Sequence, residues 1–154
     1  MTRWNEKTSR ALIEETHKRG ETLTMALRAQ VDAFGYVDEA AITPLMQTFA
    51  RSRAEVLGVI AYYDDFRTTA PGRHVVRLCQ AEACQAVGAR ELTAHMCEKT
   101  GLTLGQTSAD GALTLEGVYC LGLCANGPAA LIDDRPVAEL DENRLDTMLD
   151  ELKV

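Results

Sequence analysis

The chain has 154 residues, 46% hydrophobic and 25% charged, the balance of a soluble globular fold of one or two domains with enough apolar side chains for a packed core. Its 16 basic and 23 acidic residues leave a formal charge of −7, which repels a phosphate backbone and argues against nucleic acid as a partner. No run approaches the about 20 apolar residues of a membrane helix, and Met1 to Lys7 lack the apolar centre of a secretion signal, so a cytoplasmic location is expected.

Residues 1–70 read as helical. Leu23, Leu27, Val31 and Phe34 form a stripe at helical spacing, which Gly35 stops. A second helix runs from about Asp38, where Pro44 implies either a kink or a fresh start capped by Thr43. Ser52-Arg53-Ala54-Glu55 has capping-box spacing and opens a short apolar helix, Val56 to Tyr63. Asp64 to Gly72 carries turn residues without periodicity and marks a boundary between domains at 1–70 and 71–154. Beyond it the rhythm changes. Val75, Val76, Leu78 and Cys79 form a β-type run ending at a cysteine, and a helix is expected from Cys84 to Thr100, closed by Gly101. On that helix Gly88, Leu92, His95 and Met96 share a face. After an Asp110-Gly111 turn, Leu113 to Tyr119 alternates and again ends at a cysteine. Ala129 to Ile132 is a third strand, and an amphipathic helix starts near Asp141. The order describes a small α/β or α+β layer.

Five cysteines in a chain without an export signal point to thiolate chemistry rather than to disulfides. Cys79-x4-Cys84 and Cys120-x3-Cys124 supply two pairs, each beginning where a strand ends, so both loops can converge at one sheet edge. Four soft anionic thiolates from two short loops are what a [2Fe–2S] cluster needs, two sulfurs per iron. Ala81, Ala83, Gly122, Ala125 and Gly127 are small enough to let backbone amides turn toward sulfur, and Cys84 is placed at a helix N-terminus, where the macrodipole favours a thiolate. Structural zinc also takes four cysteines; its knuckle spacing fits one x4 with one x3 less well, and a zinc-stabilised interaction module stays open as the alternative. Cys97 falls about 140° around its helix from Leu92, a flank position.

The remaining chemistry-bearing residues read as structural. His17, His74 and His95 are scattered singly, with His95 a satisfied, partly buried histidine rather than a ligand. Tyr62, Tyr63 and Phe66 are expected to fill a junction between subdomains. Pro128 fixes the path into the third strand, with a cis bond open at the ordinary frequency of about one X–Pro bond in twenty. No glycine-rich phosphate loop follows a strand and no acid–base pair converges, so neither a nicotinamide site nor a catalytic residue is expected on this chain.

The words Gly35-Tyr36-Val37, Ser52 to Val59, Pro71-Gly72-Arg73-His74 leading into Cys79 to Cys84, Asp110-Gly111, and Cys120-Leu121-Gly122-Leu123-Cys124 with Pro128 behind them occur in that order. In this the chain resembles the 24 kDa subunit family of NADH:quinone oxidoreductase. The resemblance implies an α+β architecture, a small N-terminal helical bundle followed by a thioredoxin-like [2Fe–2S] ferredoxin domain, with Cys79, Cys84, Cys120 and Cys124 at the ligand positions. It also implies a partner subunit carrying FMN and NAD(H), whose flavin exchanges single electrons with the cluster, and a further iron–sulfur or molybdenum catalytic subunit. Gln80 and Glu82 in the first loop, Tyr62 to Phe66, and Ala125-Asn126-Gly127-Pro128 look most like the gamma subunit of NAD-dependent formate dehydrogenase. Ala61-Tyr62-Tyr63 departs from the Thr-Phe-Tyr more usual in the quinone-reductase branch. The equivalent subunit of quinone reductase or of an NAD-reducing hydrogenase is the alternative. The apolar positions Leu12, Ile13, Leu45 and Met46 are candidates for packing against a partner subunit as well as within the chain.

Overall fold

The computed structural model describes residues 3 to 152. The chain divides between Ala70 and Pro71 into two compact units. The first is helical. Helix α1 (Glu6–Lys18) starts at Asn5, whose side chain accepts from the Thr8 amide at 2.8 Å. Helix α2 (Leu23–Phe34) ends at Gly35, which takes φ +84° and donates back to Val31 O at 2.7 Å, the left-handed stop expected there. Asp38 then caps a 3₁₀ turn, Glu39–Ala41, that runs directly into α3 (Ile42–Phe49). Pro44 therefore lies in the first turn of α3, and the capping side chain is that of Asp38, ahead of the 3₁₀ turn, rather than Thr43. Helix α4 (Arg53–Tyr62) carries both halves of the Ser52–Glu55 capping box.

Ile13, Leu27, Leu45 and Val56 are fully buried at the centre of this bundle and Phe66 closes it. Two of the positions expected to reach a partner, Ile13 and Leu45, are thus consumed inside the bundle; Leu12 and Met46 are half-buried. Tyr62 and Tyr63 are exposed, while Phe66 is buried in the bundle core. The buried polar pair Ser9 and Gln30 is satisfied: the Ser9 hydroxyl donates to Gln30 Oε1 at 2.6 Å and Gln30 Nε2 donates to the Ser9 carbonyl at 3.2 Å.

The second unit is a five-stranded mixed sheet with two main helices. Its elements are β1 (His74–Cys79), α5 (Glu82–Gln85), α6 (Ala89–Thr100), β2 (Gln106–Thr107), β3 (Leu113–Val118), β4 (Ala130–Ile132), β5 (Arg135–Val137) and α7 (Glu142–Leu152). The spatial order is β2-β3-β1-β4-β5, with β1 parallel to β3 and antiparallel to β4. Alternate strand residues Val76, Leu78, Leu113 and Leu115 meet Leu92 and Met96 of α6 and Leu145 and Leu149 of α7 in one core. The helix expected over Cys84 to Thr100 is two helices: Gly88 adopts φ +104° between them, a conformation that breaks the ladder and that a residue with a Cβ would resist. Gly88 is accordingly the break between α5 and α6 and not part of the apolar face. Strands β2 and β5 add to the three expected from sequence; β5 holds Pro136, which only an edge strand tolerates. Gly72 passes so close to β3 that a Cβ there would fall 2.9 Å from Leu113 backbone atoms.

Helices α6 and α7 are joined by charge. His95 Nε2 lies 2.8 Å from Asp146 Oδ1, and Lys99 Nζ lies 3.0 Å from the same oxygen. His95 is thus the half-buried, satisfied histidine expected. The hydrogen bond from His95, then that from Lys99, holds the Asp146 carboxyl below its ordinary pKa. A carboxylate depressed in the folded state stabilises fully above its unfolded pKa, near pH 4, and loses that effect as pH falls through the lower folded value. Asp146→Asn should therefore be less stable than the parent in thermal melts near neutral pH, and the difference should shrink on acidification through about pH 4. A difference independent of pH would show that the pair contributes nothing through charge. Among the described residues no helix is long and apolar enough to cross a membrane.

Candidate metal centre

The sheet register brings the cysteine loops together. Cys79 ends β1 opposite Val118, which ends the neighbouring parallel strand β3, so the loops that follow leave the same edge. The Gln80 amide donates to Val118 O at 2.8 Å, and from the other side the Cys79 amide donates to Ala129 O at 3.0 Å. Three segments, 79–84, 118–124 and 127–129, therefore meet at one site. Cys79, Cys84, Ala89 and Ala129 form its buried floor, with Ala81, Val118, Leu121 and Leu123 packed around it. Cys79 and Cys84 are buried, whereas Cys120 and Cys124 are exposed.

The sulfurs associate in two pairs. The Sγ atoms of Cys120 and Cys124 lie 3.5 Å apart, and the Gly122 amide donates to Cys120 Sγ at 3.4 Å. Cys79 and Cys84 lie in one buried cluster and act on one another's ionisation. All five cysteines are free thiols. Burial acts to raise the Cys79 pKa, but hydrogen bonds from the Ala81 amide, the Cys84 thiol and the Cys120 and Leu121 amides outweigh it, and the thiol falls below its ordinary value. Burial, reinforced by Cys79, pushes Cys84 up, and hydrogen bonding and charge from Cys120 push Cys124 up. For Cys84 this reverses the expectation from a helix N-terminus, because α5 is only four residues long and its dipole cannot offset burial. The Cys79 charge also acts on Cys124, so the two pairs share one electrostatic environment. Among the described residues no group of three or more His, Cys, Asp and Glu side chains is already gathered around a single point as one metal ion would require.

The local backbone is shaped for soft, anionic sulfur. Cys120 takes φ +76°, an uncommon conformation for a residue with a side chain, and Gly122 takes the same value. A Cβ at Gly127 would sit 3.3 Å from Cys84 Sγ and 3.0 Å from Val87 Cγ2, so glycine there leaves the sulfur its space. The Gly127–Pro128 bond that follows is cis. Thiols in two close pairs, lined by small residues and met by several backbone amides, fit a [2Fe–2S] cluster.

Comparison with known proteins agrees. Residues 9–153 match the family described as thioredoxin-like [2Fe–2S] ferredoxin. The chain belongs to that family. The ferredoxin is 35% identical over 100 residues to the E subunit of NADH-quinone oxidoreductase from Pseudomonas aeruginosa, a match covering 65% of this chain and 60% of that protein. It is 31% identical over 119 residues to the E subunit of the Escherichia coli K12 NADH-quinone oxidoreductase, covering 77% of this chain and 72% of that one. Among solved structures, an NAD+-reducing [NiFe]-hydrogenase in the air-oxidised state aligns with a TM-score of 0.72 at 28% identity, covering 85% of this chain and 22% of the hydrogenase chain. The α+β architecture and the [2Fe–2S] cofactor expected from sequence are those of the family.

The structure brings Cys79, Cys84, Cys120 and Cys124 into one neighbourhood. Cys97 sits on α6, half-buried against the core of the ferredoxin unit. His17 packs edge-on to Phe49 in the helical unit, and His74 Nδ1 lies 2.7 Å from Asp133 Oδ2. The amides of Cys120 and Leu121 at the Cys79 sulfur have no signal in the sequence, since they depend on the left-handed turn at Cys120, which cysteine does not advertise.

Proposed function

We propose that Cys79, Cys84, Cys120 and Cys124 are the ligands of the [2Fe–2S] cluster, and that the chain is the electron-carrying subunit of a cytoplasmic NAD-linked oxidoreductase. Its partner in this reading carries FMN and binds NAD(H). The observation that carries the ligand assignment is the convergence of both cysteine loops at one sheet edge, where Cys79 and Cys84 share a buried cluster and the Sγ atoms of Cys120 and Cys124 lie 3.5 Å apart. When bound, such a cluster takes up or returns one electron at a time.

The chain's own contribution is positional and electrostatic. Cys79 and Cys84 hold their end of the site away from water, among Ala89 and Ala129. The exposed Cys120 and Cys124 leave the other end open to a partner. Amides at the sulfurs favour negative charge without a proton having to move. A single tetrahedral zinc would instead need all four sulfurs drawn around one point at about 2.3 Å, and the two-by-two arrangement suits two metal ions better.

Within this class the assignment is to the gamma subunit of NAD-dependent formate dehydrogenase, beside a further iron–sulfur or molybdenum catalytic subunit. It rests on Gln80, Glu82, Tyr62 to Phe66 and Ala125 to Pro128. The relatives described above bear the names of NADH-quinone oxidoreductase and NAD+-reducing hydrogenase, which are the alternatives the experiment separates. Co-expression with the flavin-binding and catalytic subunits from neighbouring genes should yield a complex that survives size exclusion and reduces NAD+ with formate. Reduction by hydrogen, or NADH-driven quinone reduction without formate activity, would move the chain to the corresponding branch. Failure to associate with any flavoprotein would overturn the subunit role.

A further inference from the structure

The peptide group between Gln80 and Ala81 is gripped at both ends. Its N–H belongs to Ala81, which packs against the Cys79 and Cys84 cluster and whose amide favours the Cys79 thiolate. Its C=O, from Gln80, accepts a 2.7 Å hydrogen bond from Nε2 of Gln85. Gln85 is held in turn, its Oε1 accepting from Nη2 of Arg90 at 3.0 Å. The rest of Gln80 is fastened independently: its amide donates to Val118 O at 2.8 Å and its side-chain Nε2 to Thr93 Oγ1 at 3.0 Å.

Every donor in this series points the same way. The Arg90 guanidinium donates to the Gln85 carbonyl oxygen and the Gln85 amide donates to the Gln80 carbonyl, while the N–H of that same peptide, from Ala81, favours charge on Cys79. A trans peptide is planar with C=O and N–H opposed, so a donor that fixes the carbonyl also aims the amide on the other side. A hydrogen bond accepted by the carbonyl further polarises the amide, and a cation at the far end of such a chain adds to this. Hydrogen bonds to cluster sulfurs set reduction potential, because reduction adds negative charge that a donor stabilises.

We propose that Gln85, braced by Arg90, is a positioning residue that aims and polarises the Ala81 amide at the Cys79 sulfur and so raises the reduction potential of the [2Fe–2S] centre. This rests on the ligand assignment proposed above. Gln85 touches no sulfur; it acts through the 80–81 peptide.

The test is a redox titration of the intact chain, followed by electron paramagnetic resonance, for the parent, Gln85→Met, Gln85→Lys and Arg90→Met. High salt screens the through-space effect of the altered charges. Methionine keeps the length and neutrality of Gln85 and removes the donor; lysine keeps a donor. At the parent's midpoint potential the reduced-to-oxidised ratio in Gln85→Met should fall about three- to tenfold, the worth of one hydrogen bond, tenfold being 59 mV for one electron. Arg90→Met should shift in the same direction by less, and Gln85→Lys should match or exceed the parent. A Gln85→Met protein with full cluster content and an unchanged midpoint overturns the proposal, leaving Gln85 a loop fastener only. Should Gln85→Met fail to hold the cluster, the other two variants decide: an unchanged midpoint in Arg90→Met, or a lowered one in Gln85→Lys, overturns it. A parent chain with no [2Fe–2S] signal would instead overturn the ligand assignment itself.

Discussion

Serine in place of Cys79, Cys84, Cys120 or Cys124 should remove the visible absorbance and the reduced-state resonance, because each change replaces a soft thiolate by a hard, far less acidic oxygen. Losing even an outer-sphere partner of a metal ligand costs about tenfold or more in affinity, so losing a ligand should cost at least that in cluster content. The two ends of the site should differ in how they fail. Cys79 and Cys84 are buried, so a serine there leaves a hydroxyl enclosed among Ala89 and Ala129, and cluster loss should come with a lower melting temperature. Cys120 and Cys124 are exposed, so their variants should lose the cluster with less cost to the apo fold. Cys97→Ser should leave the spectrum unchanged, since Cys97 packs against the core on α6. If Cys97→Ser bleached the protein while a variant among the other four did not, the ligand assignment would be wrong.

Leu115→Ala should destabilise the ferredoxin unit by about 2–5 kcal/mol. Leu115 lies fully buried on β3 opposite Val76 of β1, at the centre of the core beneath α6 and α7. Truncation there leaves a cavity under the strand that leads to Cys120. Native domains hold only about 5–15 kcal/mol in total, and a unit of this size loses roughly 4–8 °C per kcal/mol, so the change should be plain in a thermal melt. Under mild denaturant the variant should also release its cluster faster, because the sheet edge that presents the cysteines opens with the core. A melting temperature within a degree or two of the parent's would mean that the core does not hold the site in this way.

Much of this arrangement can be read in sequence, for local reasons. The two β-type runs ending at Cys79 and Cys120 are strong signals because their apolar residues recur at strand spacing, and the strands do lead into those cysteines. The Ser52 capping box and the stops at Gly35 and Gly101 are legible because capping chemistry involves residues only a few positions apart. What escapes is what depends on distant partners. Strand β2 has two residues and β5 has three with a proline among them, so neither carries a pattern; each exists because β3 or β4 offers it an edge. Gly88 falls on the apolar helical face by counting, yet it splits the helix, since nothing local shows that α6 must restart at Ala89. Asp38 replaces Thr43 as the cap because the 3₁₀ turn begins earlier than the helix it leads into. The four cysteines of the candidate site are visible in sequence as two spaced pairs, but the Gln85 hydrogen bond to the Gln80 carbonyl is not, since glutamine has no preferred role that would mark it.

Iron, acid-labile sulfide and zinc determined on the anaerobically purified chain, together with its electron paramagnetic resonance before and after reduction, decide between a [2Fe–2S] cluster and a zinc site. A [2Fe–2S] chain should show about two irons and two sulfides, visible colour, and a signal that appears only on reduction. A colourless, resonance-silent protein carrying one zinc per chain would contradict the cluster.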